Sequence, residues 1–553
     1  MSRPGRWSWQ GGALLLLLGW LVVYPLALVF IQAVHGPGGW TLDHLRAFAS
    51  RPSEWHALWN SLWLSLASVA VAGALGIPLA VLFATVEFPG RRLLGGLIAL
   101  PVVLPPLVGV VSFLFLFGET GFAARMVQAL FGLENPPWRL EGAWAILLVH
   151  GYSMYAYFYL LGRAGLAGLD GSLLEAASAL GAGRWRTLRR VVFPLLRPTL
   201  AGATLLVFLT ALASFSAPYI FGAGFRVMTT QIVVTRLNGD DGLAMVQTAA
   251  LTVLALLGLR ASRLLEGSAT LVGGAKGKAP ARRTIRRPAM RRLFTALAWL
   301  AAVLLLLPHA TLILLSFVPA GTWTVETLPP AYTLRNYAAL VAEPERLRPL
   351  FNSLWMATAS TLAAMAVAVA AGTLVVRRRV AGGRAIESLL SLPWAVPGTV
   401  FAIALAALFS VRAPWLGRVV LIGTPWLLPL AYLIRNLPIA GRPVLAGFRG
   451  LDPTLEEAAA ALGASRWRTL RRVTLPLLGP ALAAGATLAF ATALGDFVTS
   501  IVLYTYDTRP LSLEILSSLR SADVGVAAAI GVILTLLGGA VFALGNERKA
   551  VAP

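Results

Sequence analysis

The 553-residue chain contains no cysteine, which excludes disulfides, thiolate metal sites and cysteine nucleophiles. Charge is scarce, at 12% of residues, about half the share of a soluble globular domain. Acidic residues are scarcer still, 23 against 46 Lys and Arg, and there are five histidines. No Gly-x-x-x-x-Gly-Lys-Ser/Thr stretch occurs: the nearest text, Gly277-Lys278, has Val272 in place of the first Gly and Ala279 after the Lys. Without that loop there is no backbone cradle for nucleotide phosphates. No His-x-x-x-His pair and no paired acidic cluster points to a metal enzyme, and the scattered His read as interfacial or structural.

What the chain has is apolar surface, 58% of its residues, and the combination makes it a polytopic membrane protein of the all-α class. The net charge of +23 does not mark a nucleic-acid partner, because the basic residues fall between hydrophobic runs instead of on one soluble patch. About 12 spans follow from runs of roughly 20 apolar residues. Six lie near 11–34, 61–86, 94–118, 141–162, 197–221 and 243–262. Six more lie near 294–318, 353–376, 386–410, 419–437, 480–504 and 524–545. With the N-terminus inside, the inner segments hold 33 of the 46 Lys and Arg, which fits the positive-inside rule and places both termini in the cytoplasm. A cleaved secretory signal behind Arg3 and Arg6 is the competing reading of the first run. That run exceeds the usual 7–15 residues and has an internal counterpart at 294–318.

The halves repeat one another. Glu175-Ala-Ala-Ser-Ala-Leu-Gly181 through Pro198 returns 282 residues later as Glu457-Ala-Ala-Ala-Ala-Leu-Gly463 through Pro480, with five of 24 positions changed. Asn60-Ser-Leu-Trp63 returns as Asn352-Ser-Leu-Trp355, and Pro101 and Pro105 as Pro393 and Pro397, at an offset of 292. The ten extra residues of the first half fall most simply in its outer loop at 119–140. Six spans return the chain to its starting side, so the repeats are parallel: 1–262, then a basic linker at 263–293, then 294–553. Lys276, Lys278, Arg282, Arg283, Arg286, Arg287, Arg291 and Arg292, spaced by Gly, make that linker a flexible tether between two once-separate subunits.

Each duplicated loop, 168–197 and 450–479, reads as a capped short helix. Ser172 and Thr454 stand three residues before Glu175 and Glu457, as in a capping box, and predict helices over 173–180 and 455–462 that stop at Gly181 and Gly463. A second short helix, 184–192 and 466–474, should end at Pro194 and Pro476. Trp185, Trp467 and the Arg around them suit a membrane interface and anionic headgroups. An interfacial anchor alone leaves the small Ala-Ala face, present twice, without a use; small residues admit close approach by another molecule.

These residues resemble the cytoplasmic signature of binding-protein-dependent ABC importer permeases of type I. The pattern Glu-Ala-Ala, three residues, Gly, nine residues, Ile-x-Leu-Pro stands here as Glu175-Ala176-Ala177, Gly181, Val191-x-Phe193-Pro194 and as Glu457-Ala458-Ala459, Gly463, Val473-x-Leu475-Pro476. Val replaces Ile twice and Phe replaces Leu once. The resemblance implies two parallel six-helix repeats and a coupling helix in each loop for one of two copies of a separate cytoplasmic ABC ATPase. It also implies one periplasmic or lipid-anchored substrate-binding protein, and a place in the bacterial inner membrane. ATP and Mg belong to the ATPase subunits, and no cofactor to this chain. The two-repeat fusion is most similar to ferric-iron permeases, through Ala213–Gly222, Phe225–Gln231, Leu494–Tyr504 and Arg509–Glu514, and less so to thiamine permeases. Polyamine, sulfate and phosphonate permeases share the frame.

Two further features bear on the translocation path. Asp496 lies inside a predicted span, where a charge faces a bundle interior or wet cavity, and pairs with Ser214 at the 282 offset. It suits a cation path or, equally, a hydrogen bond between helices. Tyr152, Tyr155 and Tyr159 share a helix face, a ferric-ligand temptation that interfacial packing explains better. An ion-coupled secondary transporter, the other class with parallel repeats, wants intramembrane charge in both halves, and Asp496 has only Ser214 opposite it.

Overall fold

The computed structural model describes residues 8–36, 38–266, 282–284, 287–322, 328–410 and 419–550. The linker residues Lys276, Lys278 and Arg286 lie outside the described residues. Among those described, nine helices are long and apolar enough to cross a bilayer, and up to eleven if each of two bent pairs is one crossing. They correspond across the repeats: Trp9–Gln32 with Pro288–Ser316, Pro52–Thr85 with Pro344–Arg377, and Asp241–Ser262 with Val524–Val541. Arg91–Leu97 with Pro106–Phe117 corresponds to the bent pair Gly383–Ala395 and Gly398–Phe409, and Trp185–Leu212 to the pair Arg466–Leu477 and Gly479–Leu494. The remaining helix, Leu427–Gly450, matches Gly142–Ala167 but carries Arg435, Arg442 and Arg449, which lower its hydropathy. It runs 13 residues past the predicted end at 437, so Arg442 and Arg449 sit within a helix instead of a loop.

Four predicted spans are not continuous. The run at 94–118 divides into Arg91–Leu97, a 3-10 turn at Leu100–Val103 and the helix from Pro106. Its counterpart bends by 105° around Val396 and Pro397. Proline supplies no N–H and drives the preceding residue out of the helical region, which accounts for both breaks. The runs at 197–221 and 480–504 each stop early, at Leu212 and Leu494, and resume as the short helices Ser216–Phe221 and Val498–Leu503. The first-half loop at 119–140 contains an additional helix, Phe122–Phe131.

The halves interlock. The N-terminal helix packs on Gly383–Ala395 and Gly398–Phe409 of the second half, while Pro288–Ser316 packs on Arg91–Leu97 and Pro106–Phe117 of the first. Within each half the main contact is between the second and fourth long helices, Pro52–Thr85 against Gly142–Ala167 and Pro344–Gly372 against Leu427–Gly450. Such apposition in lipid needs small residues. At Gly76 a Cβ would come within 2.4 Å of the Tyr155 carbonyl oxygen, so this position admits only glycine.

The repeated Asn-Ser-x-Trp motif has a structural task. Asn60 donates to the Arg226 carbonyl at 2.9 Å and Ser61 Oγ accepts the Met228 N–H at 2.7 Å. Asn352 donates to the Arg509 carbonyl at 3.0 Å and Ser353 Oγ accepts the Leu511 N–H at 2.8 Å. Each motif satisfies one of the free N–H groups at the start of a helix, Met228–Leu237 or Leu511–Arg520, and pins the segment that follows the broken span.

Candidate functional site

Two places in the fold are candidates: the duplicated loops at the basic end of the bundle, and the two breaks buried within it.

In the first loop the short helix is Gly171–Ala179, and in the second Thr454–Ala461. The predicted capping boxes do not form. The caps are Asp170, whose Oδ1 accepts the Ser172 N–H at 2.9 Å, and Asp452, whose Oδ1 accepts the Thr454 N–H at 2.9 Å. An aspartate two residues before the predicted cap reaches the same donors by a shorter turn. Hydrogen bonds from the Thr454 backbone and hydroxyl hold the Asp452 carboxyl below the usual carboxylate range. At the other end Gly181 and Gly463 have φ of +73° and +79°. Gly181 N–H bonds to Ser178 O and Ala182 N–H to Ala177 O, both at 3.0 Å; Gly463 and Ala464 repeat this on Ala460 at 2.9 Å and Ala459 at 3.0 Å. This is the Schellman termination, with glycine in its left-handed position.

Each helix turns one face outward and rests on the bundle with the other. Glu175, Ala176, Glu457 and Ala458 are exposed, Ala177 is buried and Ala459 half-buried. The leucines before each glycine, Leu180 and Leu462, are 88% and 89% exposed, and Trp185 and Trp467 are exposed beside them. The motif reading passed over these leucines; an apolar residue at the C-cap, with no helix after it to cover it, was the available signal. The continuation differs from expectation at Pro194 and Pro476. No break falls at either, because Leu188–Val192 and Leu470–Thr474 form π-turns that lead straight into Phe193 and Leu475, and a proline at the following first turn has no N–H to lose. The second copy instead bends by 72° at Leu478, where Gly479 replaces Arg197.

The linker touches this end. Val86–Glu87 and Arg283–Thr284 form a two-residue parallel pairing, and Arg282 Nη1 lies 3.8 Å from Glu87 Oε2. The chain at 282–284 is thus attached to the first half, contrary to a tether without contacts.

At the breaks, Asp496 has a side chain 4% exposed and lies 2.7 Å from Arg435 Nη1, itself 28% exposed. Asp496 Oδ1 also accepts the Thr499 N–H at 2.8 Å and Oδ2 the Thr499 hydroxyl at 3.2 Å. One carboxylate therefore starts the short helix Val498–Leu503 and neutralises a partly buried guanidinium. Arg435 stands near the end of the predicted span 419–437 and its role was missed; a charge inside the membrane calls for a partner, and Arg435 lies on the adjacent helix. In the first half Ser214 Oγ is 2.9 Å from His150 Nε2, and His150 Nδ1 is 2.8 Å from Ser68 Oγ. The breaks meet: Phe215 and Phe497, equivalent residues, have ring centroids 5.9 Å apart, and Tyr219 lies 6.4 Å from Phe497. Of the tyrosines, Tyr155 and Tyr159 donate to the carbonyls of Ile98 and Gly95 and Tyr152 meets His309, so their hydroxyls do not converge. Among the described residues no group of three His, Cys, Asp or Glu is placed to hold a metal.

Interlocked parallel repeats with a broken membrane helix in each and a duplicated exposed helix at one end define a transport permease. The chain belongs to the family described as the binding-protein-dependent transport system inner membrane component, which matches residues 76–267 and again 360–546. It is thus a multi-pass component of an ABC importer, a transport subunit and not an enzyme. It is 34% identical to a probable ABC transporter permease protein of Sinorhizobium fredii, over 97% of this chain and 96% of that one. It is 27% identical to the ferric transport system permease protein FbpB of Actinobacillus pleuropneumoniae, over 95% of this chain and 76% of that one. The thiamine transport system permease protein ThiP of Escherichia coli is 26% identical over 87% of each chain.

Proposed function

We propose that this permease moves ferric iron, delivered by a periplasmic or lipid-anchored binding protein, into the cytoplasm, with ATP and Mg used by two copies of a separate ATPase subunit and no cofactor held by this chain. The observation that carries the coupling part is the duplicated exposed helix. Glu175, Ala176, Ala177 and Gly181 with Leu180, and Glu457, Ala458, Ala459 and Gly463 with Leu462, offer the same small-residue and leucine surface twice, as two copies of one partner require. The basic end and both termini are then cytoplasmic.

Ser214 and Asp496 sit at the path between the halves. Asp496 is balanced by Arg435, and the aromatic contact of Phe215 with Phe497 joins the two breaks. Opening would part these rings while the ion pair keeps the break intact. Iron is supported by the breadth of the match to FbpB, which extends over more of this chain than the match to ThiP.

The test is reconstitution of the permease with the ATPase and binding protein encoded beside it, followed by uptake of radiolabelled ferric iron and, separately, of thiamine. Iron uptake that requires all three components is expected. Thiamine uptake without iron uptake overturns the substrate; hydrolysis of ATP by the permease alone overturns the division of labour.

A further inference from the structure

Beneath each exposed helix, between the ends of the second and fourth long helices, lies a cavity, and the two cavities differ in chemistry. The second-half cavity, about 550 Å³, is lined by Arg377, Arg379, Glu387, Arg449 and Glu457 among others. Its cations are answered from within: Arg449 pairs with Glu387, and Arg377 lies 3.2 Å from Glu456. The first-half cavity, about 570 Å³, is mostly apolar, with walls from Val81, Ala84, Leu160, Ala164 and Leu174, yet three arginines border it, Arg91, Arg163 and Arg282.

Those arginines are under-compensated. Glu87 is the one carboxylate within ion-pair distance of any of them among the described residues, 3.2 Å from Arg91 and 3.8 Å from Arg282. Arg91 is buried and spends a further N–H on the Phe83 carbonyl at 2.8 Å. Arg163 donates only to neutral oxygens, the Tyr159 hydroxyl at 2.7 Å and the Gly95 carbonyl at 3.5 Å. The cavity therefore borders two guanidinium charges more than it neutralises, beside walls that water solvates poorly.

We propose that this cavity is a binding site for one anionic phospholipid. Its phosphate would lie at Arg163 and Arg282, and an acyl chain along the wall formed by Val81, Ala84, Leu160 and Ala164. The cavity lies where Pro52–Thr85 and Gly142–Ala167 end, and membrane helices end where the hydrocarbon gives way to headgroups. A soluble anion would answer the charge and leave the apolar wall unused; a neutral lipid would do the reverse. The site spans three parts of the chain, since Leu174 belongs to the first exposed helix and Arg282 to the linker. A bound lipid thus ties both to the membrane boundary, and the second half, whose cavity supplies its own carboxylates, has no such requirement.

The test uses the full chain in nanodiscs of equal parts phosphatidylglycerol and phosphatidylcholine, with native mass spectrometry reading the lipid retained. The wild type should keep phosphatidylglycerol over phosphatidylcholine by about tenfold or more, the value of two basic contacts at a membrane surface. Arg163→Gln with Arg282→Gln should remove that preference. Ala164→Trp, which leaves every charge in place and fills the apolar wall, should remove it as well. Arg189→Gln with Arg190→Gln deletes two exposed charges outside the cavity and should leave it intact. Equal loss in that control would mean diffuse surface charge and overturn the site, as would full retention in both cavity variants. Release of the lipid by millimolar inorganic phosphate would reassign the cavity to a soluble anion. A variant that fails to assemble is replaced by the other cavity variant, since each reaches the site by a different wall.

Discussion

At one position of the repeat the first half carries Leu174 and the second Glu456, and each fixes its exposed helix to the bundle. Leu174 packs with Leu166, Leu188, Val192 and Leu196. Glu456 lies 3.2 Å from Arg377 and accepts the Thr474 hydroxyl at 2.7 Å, while Arg377 also donates to the Leu451 carbonyl at 3.0 Å. The side chains of Arg377 and Glu456 are 12% and 22% exposed, so the pair is worth more than a surface bridge and less than its Coulomb energy in a dry interior. Each anchor contributes about 1–2 kcal/mol, one by apolar burial and the other by charged hydrogen bonds. The outward faces differ at few positions because each has to meet a copy of the same partner; the inward faces were free to diverge in pairs, Thr85 with Leu174 and Val192, against Arg377 with Glu456 and Thr474.

The largest effect should come from the outward face and should be equal in the two halves. A Cβ at Gly181 or Gly463 would meet nothing within 4 Å, so any loss at these positions is conformational and not steric. The left-handed backbone costs a side chain about 1–2 kcal/mol, more when β-branched, and asparagine tolerates it best. Gly181→Val and Gly463→Val should each abolish ATPase copurification and transport together, and the Asn variants should keep most of both. Equal assembly of the Val variants would mean that these helices are not the docking elements.

The inward face should respond differently in each half. Glu456→Leu strands Arg377 and Thr474, loosening Thr454–Ala461 by about 2 kcal/mol, which hydrogen exchange would read as faster exchange there and unchanged exchange at Gly171–Ala179. Leu174→Glu should do the reverse, placing a carboxylate among leucines. The sharper experiment transplants the anchor: Thr85→Arg with Leu174→Glu and Val192→Thr should recover protection that Leu174→Glu alone loses. If the triple variant is no better than the single one, the equivalence of the two anchors is wrong.

What could be read in advance follows the same division. The membrane class, the two repeats and the duplicated loops were legible because hydrophobic run length and verbatim repetition are local signals. The glycine terminations were legible too, since a helix that must stop at a fixed residue needs a positive φ there. The breaks at Leu212 and Leu494 were not: the apolar text runs on through Phe215 and Phe497, and only the hydrogen bonds of Asp496 and the clamp of Asn352 and Ser353 reveal the turn. Arg435 was hidden for the same reason, since a helix that tolerates arginine by pairing it looks, residue by residue, like a loop. The pairing of Arg283–Thr284 with Val86–Glu87 is a long-range contact without a local signature.

A smaller effect follows from salt. An ion pair open to solvent on one side is screened within a Debye length of about 10 Å at 0.1 M, whereas leucine packing is not. Raising monovalent salt toward 1 M should increase exchange at Thr454–Ala461 severalfold and leave Gly171–Ala179 unchanged. Loss of protection at both would show that salt acts on the shared outward surface and not on the anchors.

The smallest effect concerns the cap of the second helix. Because Thr454 holds the Asp452 carboxyl below its ordinary range, the charged cap stabilises the helix start at pH values above the ordinary carboxylate range, and this contribution is lost as pH falls through the lowered value in the folded chain. The quantity to follow is the difference between wild type and Asp452→Asn at each pH. Asparagine caps nearly as well and does not titrate. The chain's lack of cysteine lets a single Ala461→Cys carry a spin label at the exposed end of Thr454–Ala461. At neutral pH the two proteins should show the same label mobility, since aspartate and asparagine are both good caps. As pH drops below the carboxylate range the wild-type label should loosen before that of the Asn variant. Identical acid profiles would mean that the cap on Asp452 contributes nothing separable from the ion pair beside it.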